Sequence, residues 1–188
     1  MRRLLAGAAV AAAVLGTVEG AGAQGPFGLT VPVSAEVRGG LAIPSGDFAD
    51  VADAGFGIGA SVHVQVAPRV SVYGGYSWTE FDLDGPSADG TDRGWELGAR
   101  VAFPGVGYSP WVRAGLLFHD FDVEVAGVDF DGDDDVGFEV GAGAAFPLGP
   151  RVSVSPGFAY RRYSTEFFDR SDRSVSYLSL DVGLRIRL

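Results

Sequence analysis

The last twelve residues, YLSLDVGLRIRL (177–188), place an aliphatic side chain at every second position: Leu178, Leu180, Val182, Leu184, Ile186 and Leu188. Ser179, Asp181, Gly183, Arg185 and Arg187 stand between them. Successive side chains of a β-strand point to opposite faces, so this period of two predicts a strand with one oily and one polar face. The same period recurs along the chain in segments of about ten residues broken by turn chemistry, and no long stretch has a helical period. Eight strands are predicted, over 31–43, 55–66, 70–81, 94–103, 108–119, 136–147, 151–163 and 175–188.

Their connections alternate. APR (67–69), PGVG (104–107) and PLGP (147–150) are tight turns, whereas PSGDFADVADA, DLDGPSADGTDR, DFDVEVAGVDFDGDDD and STEFFDRSDR are long. An up-and-down meander has this pattern when turns gather at one end and loops at the other. One domain is expected, spanning 24–188. Residues 1–23 read as a secretory signal peptide: MRRLL is a short basic start, LLAGAAVAAAVLG is too short to span a bilayer, and AGA precedes a cut before Gln24.

One strand face collects Val, Leu, Ile, Ala and aromatic residues. The other collects Glu36, Arg38, His63, Tyr73, Glu96, Arg100, Arg113, His119, Glu139, Arg161, Asp181 and Arg185, with many glycines. Alternation alone does not say which face is inside. A soluble barrel would turn the apolar set inward, and a membrane barrel turns it outward. Three features favour the membrane. The polar face is rich in glycine, which a narrow eight-stranded interior needs in order to fill without clashes. Its acids and arginines nearly balance, as buried charges must. Tyr76, Trp78, Phe118, Phe158 and Tyr160 near the loops, and Phe103, Tyr108, Trp111 and Phe146 near the turns, look like two aromatic girdles. Pro156 falls inside strand seven, where a bulge or kink is expected because proline cannot donate to a ladder. Gly143, on the polar face, is expected to tolerate alanine better than the apolar face tolerates arginine.

The signal peptide, the eight alternating strands, GGLAIPSGDF (39–48), the glycine-rich FGIGASVHV and VSVYGGYSW, and the closing strand together resemble the small outer-membrane β-barrel proteins. That family includes the OmpA transmembrane domain, OmpX and the opacity-protein surface antigens. The resemblance implies an all-β, eight-stranded antiparallel up-and-down transmembrane β-barrel in the outer membrane of a Gram-negative-type bacterium. It also implies insertion by the barrel-assembly machinery and contact with outer-membrane lipids and lipopolysaccharide.

The formal net charge of −10 argues against nucleic acid, which requires a basic face. Nineteen of the 24 acidic residues lie in or beside the four long connections. In the third, Asp129, Asp131, Asp133 and Asp135 would be the ligands of a divalent ion, since hard cations want clustered oxygens. The spacing departs from a calcium loop: Asp134 stands at the glycine position and Val140 at the bidentate acid. A solvated acidic loop that meets cations or basic surfaces diffusely is expected instead, with no metal site and no cofactor. Glu36, Arg38, Glu96, Arg100, Arg113, Glu139, Arg161, Asp181 and Arg185 are expected to form a structural charge network that fills the lumen, with an ion path as the alternative. No enzyme is expected, because His119 and Asp120 are adjacent and therefore face opposite ways.

The expected function is that of a monomeric outer-membrane barrel with a structural or surface-interaction role, presenting four acidic loops. The alternatives are a narrow porin-like channel or carrier for a small solute, a soluble periplasmic ligand-binding barrel, and a lipid A-modifying enzyme.

Overall fold

The computed structural model describes residues 31–83, 88–125, 128–130, 135–166 and 172–188. Eight long strands close into one barrel: β1 (Val33–Pro44), β2 (Gly55–Ala67), β3 (Val70–Leu83), β4 (Ala88–Ala102), β5 (Ser109–Val125), β7 (Asp135–Pro147), β8 (Val152–Glu166) and β9 (Asp172–Arg187). A three-residue β6 (Val128–Phe130) pairs only with β5. Each long strand pairs antiparallel with the next, and β9 returns to β1, from Ser34 opposite Arg187 to Pro44 opposite Tyr177. The alternating segment at the end of the sequence thereby closes the ring. It leaves no strand edge whose backbone groups would meet hydrocarbon unpaired.

Several strands outrun the sequence reading at the loop end. The β4–β5 ladder extends from Ala102 opposite Trp111 to Ala88 opposite Val125. The β8–β9 ladder reaches Glu166 opposite Asp172. Ladders of about 15 residue pairs span roughly 50 Å along the strand, longer than a tilted strand needs to cross an apolar band of about 25 Å. The hairpins therefore project beyond the band. On their outer surface Arg93 pairs with Asp122 at 2.7 Å. The polar loop composition had hidden this pairing, because strand hydrogen bonds continue in water without an apolar face.

The apolar set faces outward. Trp95, Leu97, Val112, Leu116, Val140, Phe158 and Val182 are exposed, whereas Glu36, Glu96, Glu139, Arg100 and Arg161 are buried inside. This inside-out distribution rules out the soluble barrel with an apolar interior. Trp111 corrects the girdle assignment: it is 5% exposed and points into the lumen, while Phe103, Tyr108 and Phe146 near the same turns face out. Trp111 shares a strand face with Arg113, and an even offset decides the matter where composition does not.

Pro156 makes no bulge. It stays in register with Val182 of β9. On the other side the β7–β8 ladder runs to Gly143 opposite Gly157, omits the pairs at Pro156 and Ser155, and resumes at Phe146 opposite Val154 with no slip. The missing N–H removes a rung and leaves the register intact. The register shift lies elsewhere, between Gln65 and Ala67, where β2 enters the tight turn.

The loop after β1, predicted as irregular, contains a short 3-10 helix, Gly46–Asp50. Its flanks are tied down. The Ser45 N–H donates to the Ser176 carbonyl at 2.8 Å, and the Asp53 N–H donates to the Asp82 carbonyl at 2.8 Å. These ties drop Phe48 into the mouth of the barrel, where it makes edge-to-face contacts with Phe81 (5.1 Å between centroids) and Phe121 (5.5 Å).

Candidate functional site

The lumen is built from every second residue of the strands, and its chemistry changes from one end to the other. At the loop end, Phe48, Phe81, Phe121, Tyr163, Val175 and Tyr177 form an apolar cluster. Beneath it, Asp92 meets the His119 Nδ1 at 2.7 Å and accepts from the Tyr177 hydroxyl at 2.5 Å. All three side chains are fully buried.

The nine predicted lumen charges then divide into two groups. In the middle, Glu96 accepts from Arg38 and, at 2.8 Å, from Arg161. Arg161 also stands 3.4 Å from Glu139, which pairs with Arg113 at 3.2 Å. The Tyr73 hydroxyl donates to Glu139, and Asp181 lies 3.9 Å from Arg113. Nearer the turns, Glu36 accepts from Arg100 at 3.0 Å and from Arg185 at 2.9 Å. Arg185 also reaches the His63 ring, whose Nε2 meets Ser61 at 3.1 Å. Trp111 joins the two groups: the Arg100 guanidinium lies over its ring at 4.1 Å and that of Arg113 at 5.9 Å.

Glu96 and Arg100, four apart on one strand, therefore serve different groups. A strand rises about 3.3 Å per residue, so residues four apart are about 13 Å apart, too far to touch. Each finds partners across the barrel instead. The cross-lumen partners Arg38 and Arg161 could not be paired with Glu96 from sequence, because pairing across a ring depends on strand tilt and stagger.

Asp92, Tyr177 and Phe48 are among the contributors that went unrecognised in the sequence. Asp92 lies in a stretch read as loop, yet it shares the even-numbered face of Gly94, Glu96, Gly98 and Arg100, so extending that period would have found it. Tyr177 continues the inward face of Ser179 and Asp181 in the same way. Phe48 carries no periodic signal at all. Of the ion candidates, Asp131 and Asp133 lie outside the described residues, and Asp129 and Asp135 are placed only as members of β6 and β7. Among the described residues, no group of three or more histidines and acids could hold a metal.

The barrel fold recurs in known proteins. Neisserial surface protein A superposes with a TM-score of 0.67 at 17% identity, over 83% of this chain and 97% of its own. A major outer membrane protein from Thermus thermophilus gives 0.58 at 15% identity, over 85% and 100%. OprG from Pseudomonas aeruginosa gives 0.55 at 14%, over 82% and 95%. At these identities the likeness is one of fold. No curated protein sequence matches the chain. The outer membrane protein beta-barrel domain family matches residues 4–186, nearly the whole length. The chain thus belongs to that family and is an outer-membrane β-barrel protein, seated among the lipids of that membrane.

Proposed function

We propose that this barrel works at its loops, as a surface-interaction protein, and that its lumen is a structural plug. The observation that supports this reading is the stacking of two obstacles in one narrow interior. The Phe48 cluster caps the loop end, and the two ion-paired groups occupy the middle and the stretch nearer the turns. Side chains fill a barrel of eight strands, and buried ions held by partners on several strands resist displacement. Residues 1–23 act as the export signal in this scheme, and the barrel-assembly machinery inserts the monomer. The long connections, rich in aspartate, meet lipopolysaccharide-bound cations or a basic partner, since binding usually resides in loops on a rigid scaffold. No turnover is assigned.

Two measurements test the reading. Planar-bilayer recording of the unmodified protein should show no large, steady conductance; such a conductance would favour the solute channel. Replacing Asp131, Asp133, Asp134 and Asp135 by Asn should reduce binding of whole cells to a cationic surface at low salt, and the difference should fade as salt rises. Unchanged binding would remove the loops from the function.

A further inference from the structure

The acidity of this chain conceals a basic chamber. At the turn end of the lumen lies a cavity of about 290 Å³, with Arg69, Arg100, Arg151, Arg185 and Arg187 in its wall together with His63, Gln65 and several serines. No acidic side chain lines it. Glu36, just beyond the inner wall, is the sole carboxylate paired with any of these arginines among the described residues, and it is shared by Arg100 and Arg185. Five guanidinium groups against one carboxylate leave an excess of four positive charges in a chain whose formal net charge is −10.

The arrangement is anchored. Arg100 is buried and held by Glu36, Ser155 and the Trp111 ring. Arg185 is held by Glu36 and His63. The three rim arginines are exposed, but their backbones are fixed. The Arg187 N–H donates to the Arg151 carbonyl at 2.8 Å, and the Ala102 N–H donates to the Arg69 carbonyl at 2.8 Å. Three rim arginines with no carboxylate partner among the described residues line a chamber whose wall holds two more, and the planar fork of donors on each guanidinium suits oxygen anions. Short turns face the periplasm in barrels of this kind, so the chamber opens there.

We propose that this turn-end chamber is a binding site for a phosphate-type oxyanion presented from the periplasmic side. The volume accommodates one such group with room for a small substituent. Two sources share the chemistry, a soluble phosphate compound and the headgroup of an anionic phospholipid in the inner leaflet. The proposal does not depend on what the loops bind or on whether the lumen conducts.

The test is calorimetric titration of the refolded full chain with inorganic phosphate, in alkyl maltoside micelles at low salt. One saturable site is expected. The triple variant Arg69→Gln, Arg151→Gln, Arg187→Gln removes exposed side chains that make no ion pair with a described residue. It should still migrate as the folded barrel, yet bind phosphate at least about tenfold more weakly, since a single hydrogen bond to a charged group is worth that much. The pair Arg93→Gln, Arg162→Gln removes positive charge at the loop end and should leave affinity unchanged. Absence of saturable binding in the unmodified protein, or equal losses in both variants, overturns the proposal. Nanodiscs distinguish the sources. If phosphatidylglycerol suppresses phosphate binding relative to phosphatidylcholine, the site takes a lipid headgroup; if binding is equal in both, it takes a soluble anion.

Discussion

The Arg100 guanidinium lies 4.1 Å from the centroid of the Trp111 ring, inside the barrel and away from lipid. The indole makes an apolar floor under a cation whose other contacts are Glu36 and Ser155. A cation over a desolvated indole face is stabilised by about 2 kcal/mol. The same ring explains two glycines opposite it. A Cβ at Gly143 would meet the Pro156 carbonyl oxygen at 2.3 Å and Trp111 Cζ2 at 2.5 Å, and one at Gly157 would meet Trp111 Cζ2 at 2.5 Å.

Trp111→Ala should therefore destabilise the barrel by about 3–5 kcal/mol, the usual cost of a large buried aromatic. Gly143→Ala, expected from the sequence to be milder than an arginine on the apolar face, should also destabilise, because backbone as well as indole would have to shift. Urea unfolding followed by tryptophan fluorescence suits Gly143→Ala, and loss of the heat-modifiable gel shift suits Trp111→Ala.

Glu96 is the shared acceptor of Arg38 and Arg161. Glu96→Gln leaves the buried Arg38 without its carboxylate and Arg161 with Glu139 alone, and should destabilise by about 3–5 kcal/mol. Glu80→Gln, at an exposed position on the outer face of β3, should stay within about 0.5 kcal/mol of the parent. Parallel urea titrations in micelles would show the contrast.

Leu116 and Val140 face lipid at the middle of their strands. An arginine at either should oppose insertion by about 2–4 kcal/mol. The folded fraction recovered on dilution into phospholipid vesicles measures this directly. Recovery of fully folded, monomeric protein from Leu116→Arg in buffer without detergent or lipid would contradict the membrane placement of that face.

Phe48→Ala should loosen the loop-end cluster by about 3 kcal/mol or more. It should leave bilayer conductance at the baseline, since the ion-paired groups beneath do not involve Phe48. Recording Phe48→Ala beside the unmodified protein separates the two obstacles. A conductance in Phe48→Ala alone would make the cap the gate.

Much of this molecule was legible from a period of two. That period needs only the geometry of one strand, so it located all eight barrel strands and their faces, and glycine content with charge balance said which face was inside. It also put Glu36, Glu96, Glu139 and the arginines in one interior. What it could not supply was their partners. Whether Glu96 meets Arg100 or Arg161 depends on tilt and stagger around a closed ring, which couples residues 65 positions apart. Trp111 was misplaced because tryptophan is at home both at a membrane interface and under a guanidinium, so its residue type carried no decision while its strand offset did. Phe48 was invisible because its position comes from two backbone ties, Ser45 to Ser176 and Asp53 to Asp82, that no local pattern encodes. The basic chamber arises in the same way. Arg69 and Arg151 lie in tight turns and Arg187 ends β9, and only ring closure gathers the three around one opening.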